Sequence, residues 1–351
     1  MAVKFLVESS SCRFVETSSL LGARLKDVRS VPIGYETLMN LYPLDFEEFM
    51  WANKINPDVI ETLKDCAARS IKVPEYIHTK ILELFRTYMA VGGMPAVVQR
   101  FTDTQDLSEV QHQLDSLWVL YQQDISKYAE VKDRPWILAI INAIPSELMK
   151  PNLRFILSSI KDKGRYTTFE PSLTWLTEAG ITLPCLNVTE PVFPLRLKEK
   201  RNLFKLFLLD TGLLSSRYQG MPLEIIQNSR RVNWGGFLEN IAAQVLTACG
   251  YCLYYYNSKK LGEIDFVIEE GTSISLIELK SGRDYKKHPA LSHMMDIPSW
   301  NFKRRLVFCE ANVFQEDGIE YFPYYLMPFA LENKEPEGRL SFSFETLQIP
   351  D

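Results

Sequence analysis

No run in the chain approaches the ~18–20 consecutive apolar residues of a membrane span. Cysteine is scarce, with six among 351 residues, which is too sparse for a disulfide scaffold. Histidine is scarcer still. His78, His112, His288 and His293 form no HxxxH pair, and no second Cys/His pair has zinc-ligand spacing. Surface or core positions are the expectation for all four. Neither sign of charge dominates: 39 Lys and Arg stand against 44 Asp and Glu, for a formal net charge of −5. That balance excludes a surface coated in basic charge, although a local basic face remains compatible with it. The amino terminus, MAVKFLVESSSCRF, lacks the long apolar core and cleavage site of a signal peptide. A cytoplasmic protein with no membrane partner is expected. Internal repeats and low-complexity linkers are missing too.

What is present is ordinary globular composition, 46% hydrophobic and 24% charged. At ~150 residues per domain the length predicts two or three domains. A short apolar strand, VKFLV at 3–7, runs into a serine loop at Ser9, Ser10 and Ser11. Helical periodicity then dominates, with helices predicted at 46–53, 57–70, 75–89, 106–128, 134–148 and 151–162; Asp45 is placed to cap the first. After a turn at Gly164, a further helix over 169–179 ends at Gly180 as its C-cap. Two short strands follow, PCLNV and KLFLLD. Helix, turn, helix and ribbon predict a winged-helix-like unit. From about 232 the pattern is α/β: helix 234–249, strands 251–257, 263–269 and 274–280, helix 287–297 and strand 305–309. The tail from Asn333 is polar and peripheral. Cys249 and Cys252 form a lone CGYC where a helix ends and a strand begins. A redox pair needs a helix start to lower its thiol pKa, so both are read as buried and inert. Tyr254, Tyr255 and Tyr256 are read as strand packing.

The chemically informative stretch is GEIDFVIEEGTSISLIELK, residues 262–280. In a strand, residues two apart share a face. Glu278 and Lys280 then point together, as do Asp265 and Val267, with Ile264, Phe266 and Ile268 on the opposite face. A hairpin centred between Gly271 and Thr272 sets Asp265 opposite Glu278, and Gly-X suits a two-residue II′ turn. Opposed residues have Cβ atoms ~4.5–5.5 Å apart, close enough to share one ion. Two carboxylates side by side in an apolar sheet are costly without a cation. Oxygen donors select a hard ion, so Mg²⁺ is the expected cofactor, with Mn²⁺ a substitute. Lys280 would orient or help deprotonate water, or stabilise charge on a phosphate. Spacing alone does not separate this reading from a salt-bridge cluster of Asp265, Glu278 and Lys280 at a strand end.

The pattern D-x12-E-x-K on a strand hairpin resembles the PD-(D/E)xK nuclease superfamily. In that superfamily a glutamate on the first core helix often adds a metal contact, and Glu239 of WGGFLEN is at the matching place. The resemblance implies Asp265, Glu278 and Lys280 as catalytic residues, Asp265, Glu278 and Glu239 as metal ligands, and phosphodiester hydrolysis as the reaction. The order helix, three strands, helix, strand agrees with a restriction-endonuclease-like core. Further motifs occur in family order: YETLMNLYPLDFEEFMWA, Gly92-Gly93-Met94-Pro95, YQQDI at 121–125, KLFLLDTGL at 205–213, then FLEN, GEIDFVI and LIELKSG. Together they are similar to the prokaryotic AAA-type ATPases with an uncharacterised C-terminal domain. The resemblance implies an α/β and α+β multidomain chain: a remnant of an AAA-type ATPase core over 1–110, a helical and winged-helix-like region over 111–231, and a nuclease-like αβββαβ domain over 232–351.

One departure stands out. G-x-x-x-x-G-K-[ST] is absent, and neither Gly92-Gly93 nor Gly235-Gly236 is followed by the required Lys-Ser/Thr. The chain resembles a family member that begins at the last strands of the ATPase core. Without a phosphate-cradling loop, ATP binding and autonomous ATP hydrolysis are not expected. Residues 196–234 carry eight cations against three anions, and residues 280–305 seven against two, a local net of +5 in each. These blocks flank the carboxylates as a phosphate-tracking surface would, so DNA is the expected partner. A solvated basic face is the equally weighted alternative. The alternatives to an enzyme are a non-catalytic DNA- or protein-binding module, or a fragment of a complete ATP-binding protein. Homo-oligomerisation is left open.

Overall fold

The computed structural model describes residues 39–332 except 230, 283 and 296, together with the isolated positions 15, 17 and 37. The strand expected at 3–7, the serine loop and the tail from Asn333 lie outside the described residues.

The first half is helical because its apolar residues recur at helical spacing behind clear starts. Helix α1 (Phe46–Ala52) opens on a capping box. The Asp45 carboxylate accepts the Glu48 amide at 2.8 Å and the Glu48 carboxylate accepts the Asp45 amide at 2.9 Å. Helices α2 (Pro57–Arg69) and α3 (Glu75–Val91) follow, the former with proline at its start. Helix α4 (Pro95–Thr104) was not anticipated; it opens at Pro95 of the GGMP motif. Then come α5 (Leu107–Tyr128) and α6 (Arg134–Leu148).

The helix expected over 151–162 is not formed. Leu153 and Phe155 are buried while Arg154 and Ile156 are exposed, which is alternation of period two. The segment lies extended against the sheet: Arg154 bridges to Lys205, and the Phe155 amide donates to the Phe204 carbonyl at 2.8 Å. Only a single 3-10 turn, Leu157–Ser159, follows. The partner of helix α7 (Tyr166–Glu178) is therefore α6, with Trp136 edge-on to Phe169 at 5.4 Å.

Strands β1 (Thr182–Val188) and β2 (Glu199–Leu208) pair antiparallel. Next are α8 (Thr211–Ser215), α9 (Met221–Ile226) and α10 (Trp234–Ala248). The chain then runs through β3 (Tyr254–Ser258), β4 (Gly262–Glu270), β5 (Ser273–Leu279), α11 (Pro289–Met295) and β6 (Phe302–Cys309). It closes with β7 (Phe314–Glu316), β8 (Ile319–Pro323) and α12 (Met327–Leu331), none anticipated. All eight strands form one mixed sheet, in the order β2-β1-β3-β4-β5-β6-β8-β7. Because β1 pairs parallel with β3, the sheet runs straight across residue 231, the expected boundary between the middle and C-terminal regions. Helix α11 carries the crossover between the parallel strands β5 and β6.

The sheet buries both faces. One face, with Phe266, Ile268, Ile277 and Phe308, shares a core with the N-terminal helices and α10. The other, with Val267, Leu276 and Val307, packs on Ala290, Leu291 and Met294 of α11.

A buried polar seam ties the short motifs together. The Asn240 side chain pairs with both the amide and the carbonyl of Leu208, at 2.9 and 3.1 Å. Gln244 accepts from the Thr211 amide and donates to the Tyr88 hydroxyl, which in turn donates to the Leu44 carbonyl. Asp210 accepts the Gly93 and Leu213 amides at 2.7 and 3.0 Å; burial still pushes its carboxyl up to about 6. Gly93 has to be glycine, since a Cβ there would lie 2.0 Å from the Leu44 carbonyl oxygen. YPLDF, GGMP, LLDTGL and FLEN are thus four parts of one packed junction.

Candidate functional site: a carboxylate and lysine cluster

The hairpin forms in the anticipated register. Glu270 pairs with Ser273 and Phe266 with Ile277, so Gly271 and Thr272 make the turn. Gly271 has φ 67°, and Thr272 is not among the described positive-φ residues, as a II′ turn requires. Beyond Phe266 and Ile277 the next residues are Asp265 and Glu278. Here the ladder changes: Asp265 Oδ2 accepts the Leu279 amide at 2.7 Å, so a side chain continues the bonding between the strands.

The face assignment differs from the simple alternation. Against β3, Tyr254 pairs with Val267 and Tyr256 with Ile264, so Asp265 and Phe266 together oppose Tyr255. This is a β-bulge, one extra residue on β4, and bulges re-aim side chains. Ile264 packs with the α11-side core while Phe266 and Ile268 pack on the other. The three residues do not share a face, because the bulge shifts the period between them.

The bulge brings Asp265 between two ion-pair groups. On β5, Lys280 Nζ lies 2.9 Å from Glu278 Oε2. On the other side, Lys205 Nζ from β2 lies 2.7 Å from Glu239 Oε2 of α10 and 2.6 Å from Glu263 Oε1 of β4. The Lys205 side chain is 0% exposed and its ammonium stands 5.0 Å over the Tyr255 ring. All four residues expected at the site are therefore in one cluster, and two more, Lys205 and Glu263, belong to it. Glu263 was legible as the residue two before Asp265. Lys205 carried no local signal beyond being a lone cation in the apolar strand LFKLFLL.

Burial drives the electrostatics. It raises the Asp265 carboxyl above its ordinary value, opposed by Lys205, the Leu279 amide and Lys280. Burial also raises Glu278, and the Asp265 charge raises it further, against the pull of Lys280. Glu239 is pushed up to about 8 by burial, despite Lys205. Burial works against the ammonium of Lys205, but Glu239, Glu263 and Asp265 overcome it and hold it well above the ordinary lysine range. Lys280 is likewise raised, its burial outweighed by Glu278. Both lysines stay cationic, and Glu239 and Glu278, each pushed up to about 8, are the carboxyls that hold protons near neutral pH.

Among the described residues, no group of three or more His, Cys, Asp or Glu side chains is disposed to hold a metal ion. A cavity of about 540 Å³ adjoins the cluster, lined in part by Phe85, Trp234, Leu238, Ser281 and Tyr324. Tyr324 connects the two, its hydroxyl donating to the Lys280 carbonyl. The flanking basic blocks are largely paired internally. Lys198, Arg201, Arg217 and Arg231 meet carboxylates in the first, and Lys286, Lys287, Lys303 and Arg304 in the second. Of the CGYC pair, Cys249 is partly buried, its thiol pushed up to about 11 by burial, but Cys252 is exposed, contrary to the buried reading. Tyr254, Tyr255 and Tyr256 are all buried strand residues. No helix among the described residues is long and apolar enough to cross a membrane.

Two family models match parts of the chain. Residues 82–222 match a domain of unknown function (DUF8612), and residues 234–327 match a domain of unknown function (DUF4143). The second is a domain found in AAA-ATPase-associated proteins, which fits the motif resemblance at that coarse level. Neither description names an activity. No curated protein and no solved structure matches the chain.

Proposed function

We propose that the chain is a Mg²⁺-dependent phosphodiesterase acting on nucleic acid, with DNA as the expected substrate. The observation that carries this reading is the pairing of a partly buried Asp265 with a buried Glu278 at the open end of the β4–β5 hairpin, with Lys280 beside them. Helix α10, the antiparallel strands β3, β4 and β5, the crossover α11 and β6 follow the αβββαβ order of a restriction-endonuclease-like core. The donor set fits a Mg²⁺ ion, which takes one or two protein carboxylates and keeps several waters. Glu278 is raised by burial and by Asp265 despite its ion pair with Lys280, so a further cation beside it would favour its ionised form. Bound by Asp265 and Glu278, the ion would activate water and polarise a phosphoryl oxygen.

The protein's own groups set the rest. Lys280 remains protonated, so its part is to stabilise charge on the phosphate rather than to act as a base. The cavity beside Lys280 offers partly aromatic space for the nucleoside flanking that phosphate. Helix α7 on α6, followed by the β1–β2 ribbon, supports a winged-helix-like unit as the DNA-contacting part, with Arg196 and Lys200 of the ribbon region forming no ion pair with another of the described residues. The missing P-loop supports the reading that this chain does not turn over ATP by itself.

Incubating the protein with duplex DNA, single-stranded DNA and RNA with and without Mg²⁺ tests the activity. Asp265→Asn should abolish Mg²⁺-dependent cleavage while leaving circular dichroism unchanged. Cleavage by Asp265→Asn equal to that of the unaltered protein sinks the assignment.

A second reading is favoured by the two lysines and the internally paired basic blocks. With Lys205 and Lys280 already offsetting carboxylates, the domain would be a binding module that needs no ion. Calorimetry showing no Mg²⁺ site dependent on Glu278 would decide for it.

A further inference from the structure

The Lys205 side chain comes from β2, outside the αβββαβ unit, yet it is the most deeply buried cation of the cluster. Its ammonium has three donors. One is given to Glu239 Oε2 at 2.7 Å, Glu263 Oε1 is ion-paired with the ammonium at 2.6 Å, and the Tyr255 ring covers it at 5.0 Å. Counted together, Glu239, Glu263, Asp265 and Glu278 bring four negative charges and Lys205 and Lys280 two positive ones. Once the protons held by its carboxyls are displaced, as ligation of an ion requires, the cluster is short by two positive charges, the charge of one divalent ion.

We propose that Lys205 is a resident cation of the carboxylate site: it holds Glu239 and Glu263 in place of a metal ion, and limits the site to one divalent cation, on Asp265 and Glu278. The first half stands by itself; the second rests on the proposed function. A divalent ion needs carboxylate oxygens at ~2.0–2.1 Å for Mg²⁺, and the Glu239 and Glu263 oxygens facing Lys205 are already engaged by its ammonium. Lys205 is thus a positioning residue. It fixes Glu239 on α10 against Glu263 on β4, and through that contact ties β2 to the hairpin that carries Asp265. Glu239, matched to a metal ligand by resemblance, then serves as an anchor for Lys205.

The test uses the full chain and Mn²⁺ alone, read by calorimetry and by melting temperature. The unaltered protein should bind one Mn²⁺. Lys205→Met should bind two, melt lower than the unaltered protein in chelator, and recover several degrees on adding Mn²⁺ but not K⁺. Lys205→Met that binds a single Mn²⁺ with unchanged affinity overturns the proposal. If that variant does not fold in either condition, Lys205→Met combined with Glu239→Gln and Glu263→Gln decides. Melting near the unaltered protein supports the charge role, and continued failure to fold overturns it in favour of packing. An unaltered protein that binds no Mn²⁺ removes the proposed function, while a Mn²⁺ site gained in Lys205→Met still supports the role of Lys205.

Discussion

Asp265 accepts the Leu279 amide through Oδ2 at 2.7 Å, so the carboxylate at the centre of the cluster also holds two strands together. The two roles separate by substitution. Asp265→Asn keeps an acceptor for the amide, whereas Asp265→Ala leaves a partly buried donor unmet, at a cost of at most about 1–3 kcal/mol. Urea unfolding should therefore place Asp265→Ala well below Asp265→Asn, while both lose Mn²⁺ binding. Equal stability of the two variants would mean that the strand contact contributes nothing.

The pH dependence of stability has a definite sign at Glu278. Burial and Asp265 hold its folded pKa above the ordinary glutamate value, so the folded state keeps a proton that the unfolded chain releases. Stability from this group is complete below the unfolded pKa and is lost as pH rises through the folded one. Glu239 acts in the same direction, from 4.5 to about 8. Glu278→Gln is neutral throughout, so in chelator it should gain stability relative to the unaltered protein between pH 5 and pH 8. Urea midpoints at several pH values measure this, and a pH-independent difference would refute it.

Gly93→Ala tests the junction between the helical region and the sheet. The added Cβ meets backbone at 2.0 Å, the Leu44 carbonyl oxygen, which no rotamer change relieves. Overpacking of this kind costs about 1–3 kcal/mol or more. Denaturant unfolding of Gly93→Ala within error of the unaltered protein would show that the 44–45 segment yields freely.

Asn240→Ala tests the polar seam. Both Leu208 backbone groups lose their partner in a buried setting, a loss of about 1–3 kcal/mol for each group left unmet. The expected outcome is a lower urea midpoint with Mn²⁺ binding at the unaltered value, because Asn240 does not touch the carboxylates. A variant of full stability would indicate that water replaces the amide.

Much of this architecture could be read from local pattern. The helices from Phe46 to Val91 and from Arg134 to Leu148 follow from apolar spacing and from caps such as Asp45. The hairpin register follows from Gly271 and Thr272, since turn chemistry and pairing arise within a few residues. Other elements depend on distant partners. LRFI reads equally as helix or strand, and the β2 edge decided for the extended form. Strands β7 and β8 are too short to outweigh their neighbours in composition, and β6 supplies the ladder that makes them strands.

The candidate site divides along the same line. By itself the sequence determined that Asp265, Glu278 and Lys280 lie at one end of one hairpin, because strand period and turn length are local quantities. Only the tertiary structure decided which way Asp265 faces, since the bulge opposite Tyr255 arises from pairing with β3. Only the tertiary structure brought in Lys205, from a strand 60 residues before Asp265 in sequence. Four carboxyls gathered together, two of them buried, need cations near them. One of those cations came from wherever the sheet order placed it, which no local window of residues records.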